Sequence, residues 1–339
     1  MIAFHRFQQL APELQAEVSA CLPTSDLLNL NVASREMHAL TTAHVLRRIE
    51  LDLVVYEPAT AAWPYQVDNS MELHQAQRKV IDTVAKHPEY AGYVHDLSWH
   101  VFADAGGMPS DFFRSLNSVE RVRLNVSRGE LMLDHANFGT LFPRMSAMTF
   151  AGQVTSELTA MTLHSPARLH ELVLDHVHSP EPDFLLQLLE QLVGNCPELE
   201  RLALRKPGNA RGHEPFDLVT EEATLRRFAA LANSCRATLS HLELTLTPMS
   251  HSIIFFGCDN RSWHVRSWLL PATFDPALGA WPLLRHLKLG GIALEPSELS
   301  HIKQAAPRVD VSLEVDAAAP GEYAMPTELP SFLASKSCG

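Results

Sequence analysis

The residue types that carry most enzymatic chemistry are plentiful in this 339-residue chain, but they are not in catalytic order. Eighteen histidines and five cysteines are present. The sequence nevertheless contains no G-x-S-x-G elbow, no G-x-x-x-x-G-K-[ST] phosphate loop, no G-x-G-x-x-G turn and no H-E-x-x-H helix. The densest cluster is Asp175-His176-Val177-His178. Strand alternation would send His176 and His178 to one side, as a metal pair requires. The simpler reading is a polar exit from a strand. His213-Glu214 and His264 have no partner nearby in sequence. Cys21, Cys196, Cys235, Cys258 and Cys338 are odd in number, scattered and without a C-x-x-C pair. They fit neither a disulfide framework nor structural zinc, and Cys196 and Cys235 read as small buried residues. No catalytic residue, metal or cofactor is expected, and the chain is not expected to be an enzyme.

What does recur is apolar. The pattern apolar-x-x-apolar-x-apolar begins at Val94, Val119, Met145, Leu169, Leu199, Leu239 and Leu284, with a weaker copy at Ala306. The intervals are 25, 26, 24, 30, 40, 45 and 22 residues. Its second half alternates, the signature of a short strand with one face buried. Stretches with a helical apolar period lie between copies, at 183–192 and 221–232, and 71–86 precedes the first. Strand-plus-helix units at this spacing cannot bury their apolar sides alone, but stacked neighbours can bury one another's. The predicted class is α/β, with parallel strands on a concave side and helices outside. Leu169-His170-Glu171-Leu172-Val173-Leu174 and Asn195-Cys196-Pro197-Glu198-Leu199-Glu200-Arg201-Leu202 resemble repeats of the irregular leucine-rich-repeat proteins associated with F-boxes. The chain lacks the Asn or Cys that usually follows the strand in regular families.

The alternation also predicts which side chains face away from the core. They include Asp96, Ser98 and His100; Arg121, Arg123 and Asn125; Glu171, Val173 and Asp175; Arg201, Ala203 and Arg205; His241, Glu243 and Thr245; His286, Lys288 and Gly290. Glu171 and Asp175 are placed to neutralise Arg201 and Arg205 one strand away. Arg121 and Arg123 have no acid on the following strand and are the expected contacts for an acidic or phosphorylated ligand. Candidate residues for holding a protein substrate are Ser98, His100, Arg121, Arg123, Asn125, Arg205 and Lys288.

The first fifty residues differ. Leu10-Ala11-Pro12-Glu13-Leu14 starts a helix in which Pro12 fits the first turn. Leu14, Val18 and Leu22 follow at helical spacing before Pro23 interrupts. Ser25 is a candidate cap for a second helix over 26–30, and Ser34 for a third that carries Met37, Leu40 and Leu46. Ile49-Glu50-Leu51-Asp52-Leu53 then reads as a strand.

The order Leu10, Pro12, Glu13, Leu14, Val18, Leu22, Asp26, Leu27, Leu28, Leu30, Val32, Ser34, Arg35 and Leu40 resembles the F-box. Ala11 stands where a proline is common. The resemblance implies an N-terminal three-helix F-box over 1–52 that docks on a Skp-type adaptor, and through it a cullin, of an SCF-type ubiquitin ligase. The implied adaptor contacts are Leu10, Pro12, Leu14, Val18, Leu22, Leu27, Leu30 and Val32. The same residues also fit a helical cap that seals the solenoid, which would make the protein an interaction scaffold without a ligase role.

The remaining divisions are a linker over 53–70, an irregular solenoid over 71–315 with an insertion near 248–271, and a loosely ordered tail over 316–339. Bulk properties limit the partners. A net charge of −12, from 39 acids and 27 bases, opposes a nucleic-acid surface. No apolar run approaches the roughly 18 residues of a membrane span. Cysteine usage and the N-terminus point to an intracellular, cytoplasmic or nuclear, protein.

Overall fold

The computed structural model describes residues 7, 10–52, 70–102, 109–127, 139–179, 181, 183–208, 218–248, 265–291 and 294–314. Nine parallel strands form one sheet in chain order, β1-β2-β3-β4-β5-β6-β7-β8-β9. They are β1 (Arg48–Leu51), β2 (Asp96–Val101), β3 (Arg121–Val126), β4 (Ala147–Gln153), β5 (Glu171–His178), β6 (Arg201–Gly208), β7 (His241–Pro248), β8 (His286–Gly290) and β9 (Asp310–Glu314). Each strand pairs only with its neighbours in sequence, the connectivity of a one-dimensional stack.

The apolar triplets explain this order. In the first seven copies the leading residue lies just before the strand and is buried, as at Val94, Val119, Leu169, Leu199 and Leu284. The second and third point into the core, and the register sets them side by side: Leu97, Val122, Met148, Leu172, Leu202, Leu242 and Leu287 in one row. A backbone ladder fixes the repeat. The N–H groups of residues 120 and 121 both donate to the His95 carbonyl, those of 146 and 147 to Glu120, and those of 170 and 171 to Ser146. Glu200, Ser240 and their successors continue the same step. The weak copy at Ala306 is out of frame: Val311 and Leu313, rather than Val309 and Val311, stand beside Leu287 and Leu289.

Helices cover one face of the sheet. Between strands lie α4 (Ser70–Lys86), α5 (Ser110–Ser115), α6 (Ser156–Thr162), α7 (Phe184–Leu192), α8 (Leu218–Ser234), α9 (Leu270–Thr273) and α10 (Pro296–Ala305). One buried cluster runs from Ile49 to Val309. Its aromatic part joins Trp99 to Phe112 and Phe113, with centroids 5.1 and 5.7 Å away. Cys196 and Cys235 are buried in it, as the sequence predicts, and burial pushes the Cys196 thiol up to about 12. Buried Gln77 of α4 donates to the Leu51 and His100 carbonyls, satisfying the ends of β1 and β2.

Before β1 come α1 (Pro12–Ala20), α2 (Thr24–Asn31) and α3 (Arg35–Leu46). Pro12 opens α1, and the Ser34 hydroxyl accepts from the Met37 N–H at 3.1 Å. Ser25 does not cap α2, which begins one residue earlier with Pro23 in the cap position. Of the insertion, the π-turn Val265–Leu269 and α9 bury Trp268, Leu269 and Leu270, while 249–264 lie outside the described residues. Of the linker read over 53–70, residues 53–69 are also outside them and Ser70 already belongs to α4; the tail over 316–339 is outside them too.

Candidate functional site on the open face of the sheet

Alternation leaves the face opposite the helices to polar and small side chains, in three rows. One row runs Asp96, Arg121, Ala147, Glu171, Arg201, His241, His286 and Asp310. The middle row runs Ser98, Arg123, Thr149, Val173, Ala203, Glu243, Lys288 and Ser312. The last runs His100, Asn125, Ala151, Asp175, Arg205, Thr245 and Gly290.

A chain of alternating charges crosses this face from β1 to β8. Arg123 Nε lies 2.9 Å from Asp52 Oδ2, and its Nη2 lies 3.4 Å from Asp175 Oδ2. Arg205 holds Glu243 with two parallel bonds, Nε–Oε1 at 2.8 Å and Nη2–Oε2 at 2.9 Å, and also reaches Asp175 at 3.6 Å. Lys288 closes the series 3.5 Å from Glu243. Long side chains thereby cover the small ones: Val173, Ala203 and Ala151 are buried although they face away from the helices. Burial by itself would raise the Asp175 carboxyl. His176, at 2.9 Å, together with Arg205 and Arg123 outweighs burial and holds it below the usual range. Burial opposes ionisation at Glu243 as well, and the Arg205 hydrogen bonds, with Lys288 and Thr245, lower it on balance.

Two substrate contacts read from the sequence change meaning here. Arg123 is not free, because its acids come from two strands away in one direction (Asp175) and from the end of β1 in the other (Asp52). His100 is 6% exposed, with Nδ1 3.6 Å from buried Asp52, and so presents no surface to a protein cargo. Ser98 donates to Asp52 at 3.4 Å. Asn125 sits between His100 and Ala151 in register. Arg205 and Lys288 belong to the ion chain, and the expected Arg201–Glu171 and Arg205–Asp175 pairs form at 3.3 and 3.6 Å. Arg121 is exposed and makes no ion pair among the described residues. Asp52 is the residue that sequence reasoning missed. Counting Ile49–Leu53 as a further rung with the same alternation places Glu50 and Asp52 on the open face.

Residues 175–178 are the last four of β5 rather than an exit from it, and the strand is distorted there in a way that periodicity does not reveal. His176 adopts a left-handed φ of 51° and Gly152 beside it a φ of 75°, so the β4–β5 register shifts there. The bend turns His176 toward Asp175 and leaves His178 Nδ1 3.3 Å from the His176 carbonyl. Among the described residues no group of three or more His, Cys, Asp or Glu side chains is arranged to hold a metal ion, and no helix is long and apolar enough to cross a membrane.

A second surface lies on the N-terminal helices. Leu14 is 48% exposed and Val18 41%, one turn apart on α1, and Leu10 precedes them in the same stripe. Leu28 and Val32, again four residues apart at the end of α2, are 49% and 83% exposed. Leu22 and Leu30 are half-buried. Leu27 is the correction: it is 6% exposed and packs inside the helical block, while its neighbour Leu28 faces out. Pro12 occupies the first position of α1. Compared with known proteins, the sequence matches no family model and none of the curated proteins.

Proposed function

We propose that this chain is the substrate-recognition subunit of an SCF-type cullin-RING ubiquitin ligase. In this reading residues 1–52 are an F-box that docks on a Skp-type adaptor, and the stacked strand–helix units are an irregular leucine-rich-repeat solenoid that holds a target protein. The observation that carries the reading is the set of exposed aliphatic side chains on α1 and α2 and at their ends: Leu10, Leu14, Val18, Leu28 and Val32. Side chains of this size left in water at helical spacing are what a partner's helices cover. The motif order in the sequence names the partner. An interface of about 1,200–2,000 Å² is the size such a contact requires.

The chain itself then performs no bond chemistry. Its contribution is effective concentration: a target held on the sheet face, at fixed distance from the ubiquitin donor that the cullin brings. Arg121 is the side chain best placed to meet an acidic group on the target, since the other cations of the open face are already engaged with Asp52, Asp175, Glu171 and Glu243.

Co-expression with a Skp-type adaptor and its cullin tests the proposal. The wild type should co-purify with both. Leu14→Asp combined with Val32→Asp should abolish the association and leave the thermal unfolding of the repeats unchanged, because both side chains already lie in water. A wild-type chain that retains no Skp-type adaptor would overturn the ligase reading.

A further inference from the structure

The open face carries one contact that the ion chain does not explain. His241 and His286 stand directly opposite one another on β7 and β8, with ring centroids 4.5 Å apart and planes 25° from parallel. Both residues are exposed. Two neutral imidazoles stack favourably at this distance, whereas two imidazolium ions repel. The surroundings decide which form the fold prefers. On β6, Arg201 is next to His241 in register. It is paired with Glu171 of β5 at 3.3 Å. Glu200 precedes β6, and the Ser240 hydroxyl lies 2.7 Å from His241 Nδ1. On the other side Asp310 of β9 stands beside His286.

We propose that the His241–His286 stack is an acid-sensitive latch between β7 and β8. The inference is independent of the ligase reading. Partial burial first, then His286 and Arg201, hold His241 below its ordinary value, and Glu171 and Glu200 only partly offset them. The direction of the effect follows by linkage. A histidine that titrates lower in the closed sheet than in the open chain binds fewer protons when closed. Its contribution to stability is therefore complete above about pH 6.5, the open-chain value. That contribution is lost as pH falls through the interval beneath it. The cheapest opening that separates the rings detaches β8, α10 and β9, the last described unit of a stack whose interfaces are nearest-neighbour. Acid should loosen this end of the molecule and spare β3 to β5.

The test combines ring titration by NMR with hydrogen exchange of backbone amides, corrected for intrinsic chemistry. In the wild type His241 should titrate below 6.5. Exchange in β8 should accelerate by about three- to tenfold relative to β4 between pH 7 and 5.5. His286→Gln should raise His241 part of the way toward its ordinary value and reduce the acceleration, since burial and Arg201 remain. His241→Gln, which removes the titrating ring itself, should abolish it. The inference is overturned if His241 titrates at or above 6.5 in the wild type, or if β8 responds to acid identically in both variants and the wild type.

Discussion

Arg205 shows how a single side chain organises the open face. Its guanidinium is bidentate to Glu243, which is only 8% exposed, and also reaches Asp175. Paired bonds of this kind are geometrically specific and stronger than neutral ones. Arg205→Met would keep much of the stem and remove the charge, leaving two partly buried carboxylates short of a cation. A loss of about 1–3 kcal/mol is expected in chemical denaturation at pH 7. Because Asp175 and Glu243 are both lowered in the fold, their stabilising contribution is present above their ordinary values and lost as pH falls through the lowered ones. The difference between wild type and Arg205→Met should therefore be largest above about pH 5 and shrink below pH 4. Part of this network was legible in the sequence. A fixed register one strand apart is enough to pair Arg205 with Asp175 and Arg201 with Glu171. The Arg123 partners were not legible, since that side chain bridges to β5 and to the residue after β1, and adjacency arguments stop at the next strand.

At the scale of elements, the strands were readable because their core face is almost invariantly aliphatic or aromatic. The eight triplets and Ile49–Leu53 correspond to nine strands. The exceptions have local causes. β9 slips by two residues relative to the sequence pattern, because alternation over 309–313 fits two frames and pairing with β8 selects one. The shift between β4 and β5 depends on Gly152, where an added Cβ would lie 2.2 Å from the Val126 carbonyl oxygen at a φ of 75°. Spacing gave no sign of that constraint. Gly152→Ala should cost at least about 1–2 kcal/mol in equilibrium unfolding from the left-handed backbone alone. Its first structural symptom should be a changed environment at His176. On α2, the F-box-like order implied an adaptor contact at Leu27 and not at Leu28, whereas the packing buries Leu27 and leaves Leu28 exposed.

Across the whole molecule two surfaces of opposite character are held on one scaffold. The sheet face is polar and largely self-neutralised, which suits selective contact with a cargo through a few side chains. The N-terminal helices expose aliphatic side chains at helical spacing, interspersed with Glu13, Glu17 and Asp26, which suits a dedicated partner. A single buried cluster runs through the stacked units from Ile49 to Val309, and the N-terminal helices lead into it at β1. The fold class and the division between helical block and repeats follow from periodicity, whereas the identity of the proposed target would depend on shape, which periodicity does not encode.

The most direct measurement is hydrogen exchange of the intact protein with and without a purified Skp-type adaptor. Protection confined to residues 10–32, saturating at one adaptor per chain, is the result the proposal requires. Unchanged exchange over those residues at adaptor concentrations well above those of the chain would contradict it.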